Sequence, residues 1–175
     1  ESVTQNGVVV DKYIGDAVMA LYNAPDHLDH HEYAAVKSAL QMKQDIMDMN
    51  IVWTAKYYPR IHIRVGVNSC LCLVGNVGSD KRMAYTALGD GINIAARCES
   101  LNKRFGTDIL ITQTTWEKVN TTFLCRWISY VSLKGKTQSI HVYEAICPVE
   151  TATSKQKLVC GLHLEAKAAL EALDA

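Results

Sequence analysis

Neither sign of charge is in excess: 18 Lys and Arg balance 18 Asp and Glu in 175 residues. A chain with no net charge is not steered towards nucleic acid or an acidic membrane, so any anion it binds must be met by a local cluster. No apolar run is long enough to span a bilayer, and no signal peptide is expected. Phe occurs only as Phe105 and Phe123, too few for the aromatic platform with which a ferredoxin-like sheet binds RNA. No Gly-rich loop ends in Gly-Lys-Ser or Gly-Lys-Thr, which excludes P-loop chemistry. The six Cys, at positions 70, 72, 98, 125, 147 and 160, are not at zinc-ligand spacing. They read as free thiols of a reducing compartment, and the expected location is cytoplasmic, alone or as the cytosolic part of a larger sensor or membrane protein. There is no internal repeat and no low-complexity tract.

What is present is a run of strands with intervening helices. Val8-Val9-Val10 and Ala17 to Tyr22 flank Ile14-Gly15-Asp16, which predicts a hairpin with a tight Gly-Asp turn. Asp29 reads as the N-cap of a helix whose buried stripe is Ala35, Ala39, Met42, Ile46 and Met49. His27, His30 and His31 crowd its start and read as a solvated terminus. Ile61, Ile63, Val65 and Val67 alternate with polar residues and Gly, which predicts a half-buried strand. Strands over Leu71 to Val77 and Met83 to Leu88 follow, joined by Ser79-Asp80-Lys81-Arg82. Asp90 is expected to cap a helix with the seam Ile94, Cys98, Leu101 and Phe105, closed by Gly106. Ile109 to Thr112, Arg126 to Leu133 and Ile140 to Ile146 read as strands, the last two joined at Gly135-Lys136. Thr114 to Val119 and Leu162 to Leu173 read as helices. Antiparallel hairpins with helices laid on them give an α+β sandwich.

Three places carry chemistry. Lys12 and Asp16 flank a turn, four apart. Asn93 and Arg97 are four apart on one helix face. Lys134 precedes a Gly-Lys turn. A carboxylate held in a turn suits Mg²⁺, which is bound by one or two carboxylates plus substrate phosphates. Arg and Lys suit phosphate oxygens whose charge grows during transfer. The set suits a nucleoside triphosphate. Taken singly, each has a plainer reading: an Asp after Gly is a turn residue, and an Arg on a helix is solvated.

Three long blocks, DKYIGDAVMALYNAP, RVGVNSCLCLVGNVGSDKRMAYTALGDGINIAARCESLNKRFGTDILIT and LKGKTQSIHVYEA, stand in the order found in the class III nucleotidyl cyclases, the adenylyl and guanylyl cyclases. The chain resembles their catalytic domain from about Gly7 to Pro148. The resemblance implies a ferredoxin-like α+β domain at 1–148, followed by a linker and C-terminal helix at 149–175. It implies that the N-terminal strand and helices of the domain, with the first of two metal-binding Asp residues, lie upstream of the abrupt start at Glu1 or are supplied by another chain. It also implies two Mg²⁺ or Mn²⁺ ions and a second cyclase domain, as a homodimer or pseudo-heterodimer with the site at the interface.

By the same resemblance Asp16 is the second metal-binding Asp. Lys12 and Thr86 recognise the base, Asn93 orients the ribose, Arg97 stabilises phosphate charge in the transition state, and Lys134 contacts the triphosphate. Lys with Thr marks an adenylyl cyclase subgroup that includes soluble, bicarbonate-responsive enzymes, whereas guanylyl cyclases usually carry Glu with Cys. Lys and a Thr hydroxyl can donate to the ring acceptors of adenine; Glu suits the donors of guanine. The expected activity is therefore conversion of ATP to cyclic AMP and pyrophosphate in second-messenger signalling. The alternatives are a guanylate cyclase and an inactive cyclase-homology domain serving as a dimerisation partner. Cys70 stands where the family commonly has Gly.

Overall fold

The computed structural model describes residues 8–79, 82–132 and 139–173. It is an α+β protein of eight described strands and four α-helices. Its contacts divide it into two compact units, Glu1–Ile63 with Ser69–Asn93, and Arg64–Asn68 with Ile94–Ala175.

In the first unit, β1 (Val8–Ile14) and β2 (Ala17–Tyr22) form the expected antiparallel hairpin. Gly15, at the first of the two loop positions, has φ 64, the positive value that a type II′ connection demands there. β4 (Leu73–Ser79) and β5 (Arg82–Leu88) form a second antiparallel pair. β4 starts two residues later than the sequence suggested, and Leu71 lies fully exposed outside it. The expected turn at Asp80-Lys81 lies outside the described residues.

Helix α1 (His31–Ala55) packs on β2 and buries Ala35, Val36, Ser38 and Ala39. Two details of the sequence reading are corrected. The residue before the helix is His30, in the left-handed conformation with φ 54, and no side chain caps the helix. The Asp29 carboxylate instead accepts from His27 Nε2 at 3.0 Å. Met49 is exposed, so the buried stripe ends before it. The expected strand at Ile61 and Ile63 also does not form. The buried Asn50 amide donates to Ile61 O at 2.8 Å and accepts the Ile61 N–H at 2.9 Å. One side chain thus satisfies both ladder groups of Ile61 and leaves no reason for it to pair with a strand.

The second unit holds a four-stranded sheet in the order β3-β6-β8-β7. β3 (Val65–Val67) runs parallel to β6 (Ile109–Thr112); β8 (Ser139–Pro148) is antiparallel to both β6 and β7 (Phe123–Ser132). α2 (Asp90–Phe105) begins in the first unit and continues in the second. Asp90 is its first residue, not the residue before it. Its expected seam packs as read: Cys98 joins Leu110 and Val142 in the core, with Ile94, Leu101 and Phe105 against them. Gly106 follows with φ 65, as a C-terminal glycine should. Gly66 sits beneath α2: a Cβ there would collide with Ala95 O and Glu99 N.

α3 (Gln113–Val119) packs on β6 and β8, and Trp116 stacks on the buried Tyr143 at 4.4 Å between ring centroids. α4 (Ser154–Leu173) packs on β7 and starts eight residues before the expected Leu162. Its start is a capping box: Thr153 Oγ1 accepts from Gln156 N at 3.2 Å, and Gln156 Oε1 accepts from Thr153 N at 2.9 Å. Among the described residues no helix is long and apolar enough to cross a membrane.

Candidate active site

The site residues of the first unit gather around a defect in β1. Val10 pairs with Ala20 and Lys12 with Met19, so β1 carries one residue more than β2 at Asp11. In a regular strand Asp11 and Lys12 would point to opposite faces. The bulge re-aims them, and both reach the same hydroxyl. Lys12 Nζ donates to Thr86 Oγ1 at 2.9 Å, Thr86 Oγ1 donates to Asp11 Oδ2 at 2.6 Å, and Lys12 Nζ lies 3.5 Å from Asp11 Oδ1.

Burial grades the three groups. The Asp11 side chain is 1% exposed and that of Lys12 42%, while Thr86 is 6% exposed on β5. The carboxylate is hidden and held by a cation and a hydroxyl, as a buried charge must be. The Lys12 side chain is the member that reaches solvent. Lys12 and Thr86 are 74 residues apart in sequence and were expected to act together; the fold brings them into direct contact.

Sequence reasoning named Lys12 and Thr86 and missed Asp11. A signal was available: an Asp inside the β-branched run Val-Val-Val-Asp-Lys must be paired if that run is buried.

Asp16 is the second loop residue of the β1–β2 connection and is exposed. Asn93 and Arg97 keep the four-residue spacing on α2, Asn93 exposed and Arg97 half-buried. Lys134, and the expected turn at Gly135-Lys136, lie outside the described residues. Among the described residues no group of three or more His, Cys, Asp or Glu could hold a metal ion. One exposed carboxylate fits a hydrated divalent cation that takes its other ligands from phosphate oxygens. It does not make a resident metal site.

Cys70 is exposed and precedes β4; partial burial, then the neighbouring Cys72 thiol, hold its thiol above the ordinary value. Burial pushes the Cys98 thiol on α2 up to about 12.

The family model described as the adenylate and guanylate cyclase catalytic domain matches residues 2–145. A terminal-differentiation-specific adenylate cyclase of Dictyostelium discoideum is 37% identical over 148 residues, covering 83% of this chain and 7% of the relative. The crystal structure of the adenylyl cyclase CyaB from P. aeruginosa superposes with a TM-score of 0.72 at 28% identity, over 83% of this chain and 74% of that one. The guanylyl cyclase Cya2 gives a TM-score of 0.73 at 25% identity, over 87% and 76%. The chain spans less than a third of the length of the curated relatives it matches.

Proposed function

Because the chain belongs to the adenylate and guanylate cyclase catalytic-domain family, we propose that it converts ATP to cyclic AMP and pyrophosphate. The observation that carries this reading is the 2.9 Å hydrogen bond from Lys12 Nζ to Thr86 Oγ1. It joins the two residues assigned to the base, and the Lys12 side chain stays partly open to solvent. An ammonium donates and cannot accept, so it suits N1 of adenine and opposes the N1–H of guanine.

The reaction is attack of the ribose 3′ oxygen on the α-phosphorus, with pyrophosphate as leaving group. Asn93 holds the ribose in line for that attack, where positioning is a large part of the rate. Arg97 donates to the phosphate oxygens as their charge rises. Lys134 contacts the triphosphate. Asp16 would hold a divalent ion; two Mg²⁺ or Mn²⁺, when bound, would acidify the 3′ hydroxyl and neutralise the leaving group. The site is completed by a second cyclase domain. The exposed Tyr13, Ile14 and Val18 of the β1–β2 hairpin support an apolar contact of that kind.

A second reading, GTP as substrate, is favoured by the likeness to the guanylyl cyclase Cya2. The test is product formation from Mn²⁺-ATP and Mn²⁺-GTP by the full-length protein. Cyclic AMP, lost in Asp16→Ala, supports the proposal; cyclic GMP replaces it with the second reading. No product from either, in a folded dimer, leaves a homology domain with a regulatory role.

A further inference from the structure

The three-membered contact at the bulge has a direction, and the direction is fixed by which atoms carry protons. A carboxylate has only lone pairs and an ammonium only N–H groups, whereas a hydroxyl has one proton and two lone pairs. Thr86 Oγ1 lies 2.6 Å from Asp11 Oδ2 and 2.9 Å from Lys12 Nζ. Its single proton goes to Asp11, and one lone pair accepts from Lys12. What remains on Thr86 is one lone pair. Lys12 retains N–H groups not used on Thr86, and its side chain is the exposed member of the three.

We propose that Asp11 is a positioning residue that sets the polarity of the Lys12–Thr86 pair, so that Thr86 accepts from an exocyclic amino group while Lys12 donates to the adjacent ring nitrogen. This rests on the cyclase reading above and deepens it: the edge that matches is an amino donor beside a ring acceptor, which is the edge of adenine. The role of Thr86 is thereby reversed from donor to acceptor. Guanine offers a 6-oxo acceptor to the Thr86 lone pair and an N1–H to the ammonium, a mismatch at both atoms. Asp11 does this without touching the base, because its side chain is 1% exposed. The one-residue bulge is what lets it do so, since an unbulged β1 would turn either Asp11 or Lys12 away from Thr86.

The test uses the full-length protein with four nucleotides: ATP, GTP, inosine triphosphate with a 6-oxo group, and purine riboside triphosphate with hydrogen at position 6. Both binding and kcat/KM are measured for wild type, Asp11→Leu and Asp11→Ala, with folding checked by thermal melt. In wild type, ATP should lead the 6-hydrogen and 6-oxo analogues. In both variants the hydroxyl proton is no longer committed to a carboxylate, and each ratio should shrink by about three- to tenfold, the worth of one hydrogen bond. A residue that only supports the hairpin would lower all four nucleotides together. Unchanged ratios in either folded variant overturn the proposal while leaving the cyclase reading intact. Wild type that binds none of the four overturns both.

Discussion

The two units of the chain differ most in their apolar cores. The second buries apolar side chains: Ile109, Leu110, Ile111, Val142, Tyr143 and Cys98 are at most 1% exposed. The first leaves Tyr13, Ile14, Val18, Leu73 and Met83 exposed. Much of what it buries is polar: Ser38, Asn50, Thr86 and the Asp11 carboxylate, each matched to a partner. Burial of apolar area is not directional, and periodic sequence is enough to specify it. A buried polar network has one correct arrangement and fails if a member is removed. The proposed base-recognition pair, Lys12 and Thr86, belongs to such a network, and the sheet with the deepest apolar core carries neither member.

Substitutions can break that contrast. The largest expected loss of stability is Leu110→Ala in β6, about 2–5 kcal/mol, because the residue is fully buried at the centre of the core. Urea denaturation measures it, and a cost under about 1 kcal/mol would mean that the second unit is not core-stabilised as described. Next comes Arg97→Ala, expected to lower kcat by about 10²–10³-fold while leaving the ATP/GTP ratio unchanged. A changed ratio would show that base selection is not confined to the polar network. Thiol labelling gives a smaller, graded contrast at pH 8. The thiolate is the reactive form, so Cys98, buried and held near 12, should resist iodoacetamide until the protein unfolds, while exposed Cys70 reacts slowly in the native state. Equal labelling rates would contradict the burial difference. The smallest effect is expected for Val18→Ala on the exposed hairpin, within about 0.5 kcal/mol in the isolated domain.

The second unit was the more legible in sequence for the same reason. The α2 seam Ile94, Cys98, Leu101 and Phe105 repeats at helical spacing and packs as read. Strands β6, β7 and β8 follow their apolar runs. Three of the misreadings trace to side-chain hydrogen bonds. Asn50 holds both polar groups of Ile61, which removes an expected strand. Asp29 binds His27 in place of capping α1. Thr153 and Gln156 form a capping box that starts α4 early.

At the candidate site, Lys12 and Thr86 were nameable from the family resemblance, and the fold joins them. Asp11 was not, because strand alternation places sequence neighbours on opposite faces and only the bulge undoes this. Long-range polar contacts that depend on a one-residue register shift have no periodic signature in a single sequence.

The most direct test of the account is the ratio of kcat/KM for ATP and GTP in the full-length protein and in the double variant Lys12→Glu, Thr86→Cys. The account predicts that wild type favours ATP and that the variant moves the ratio towards GTP, because Glu accepts where Lys donates. A ratio that stays the same in a folded, active variant would contradict the assignment of base recognition to the Lys12–Thr86 contact.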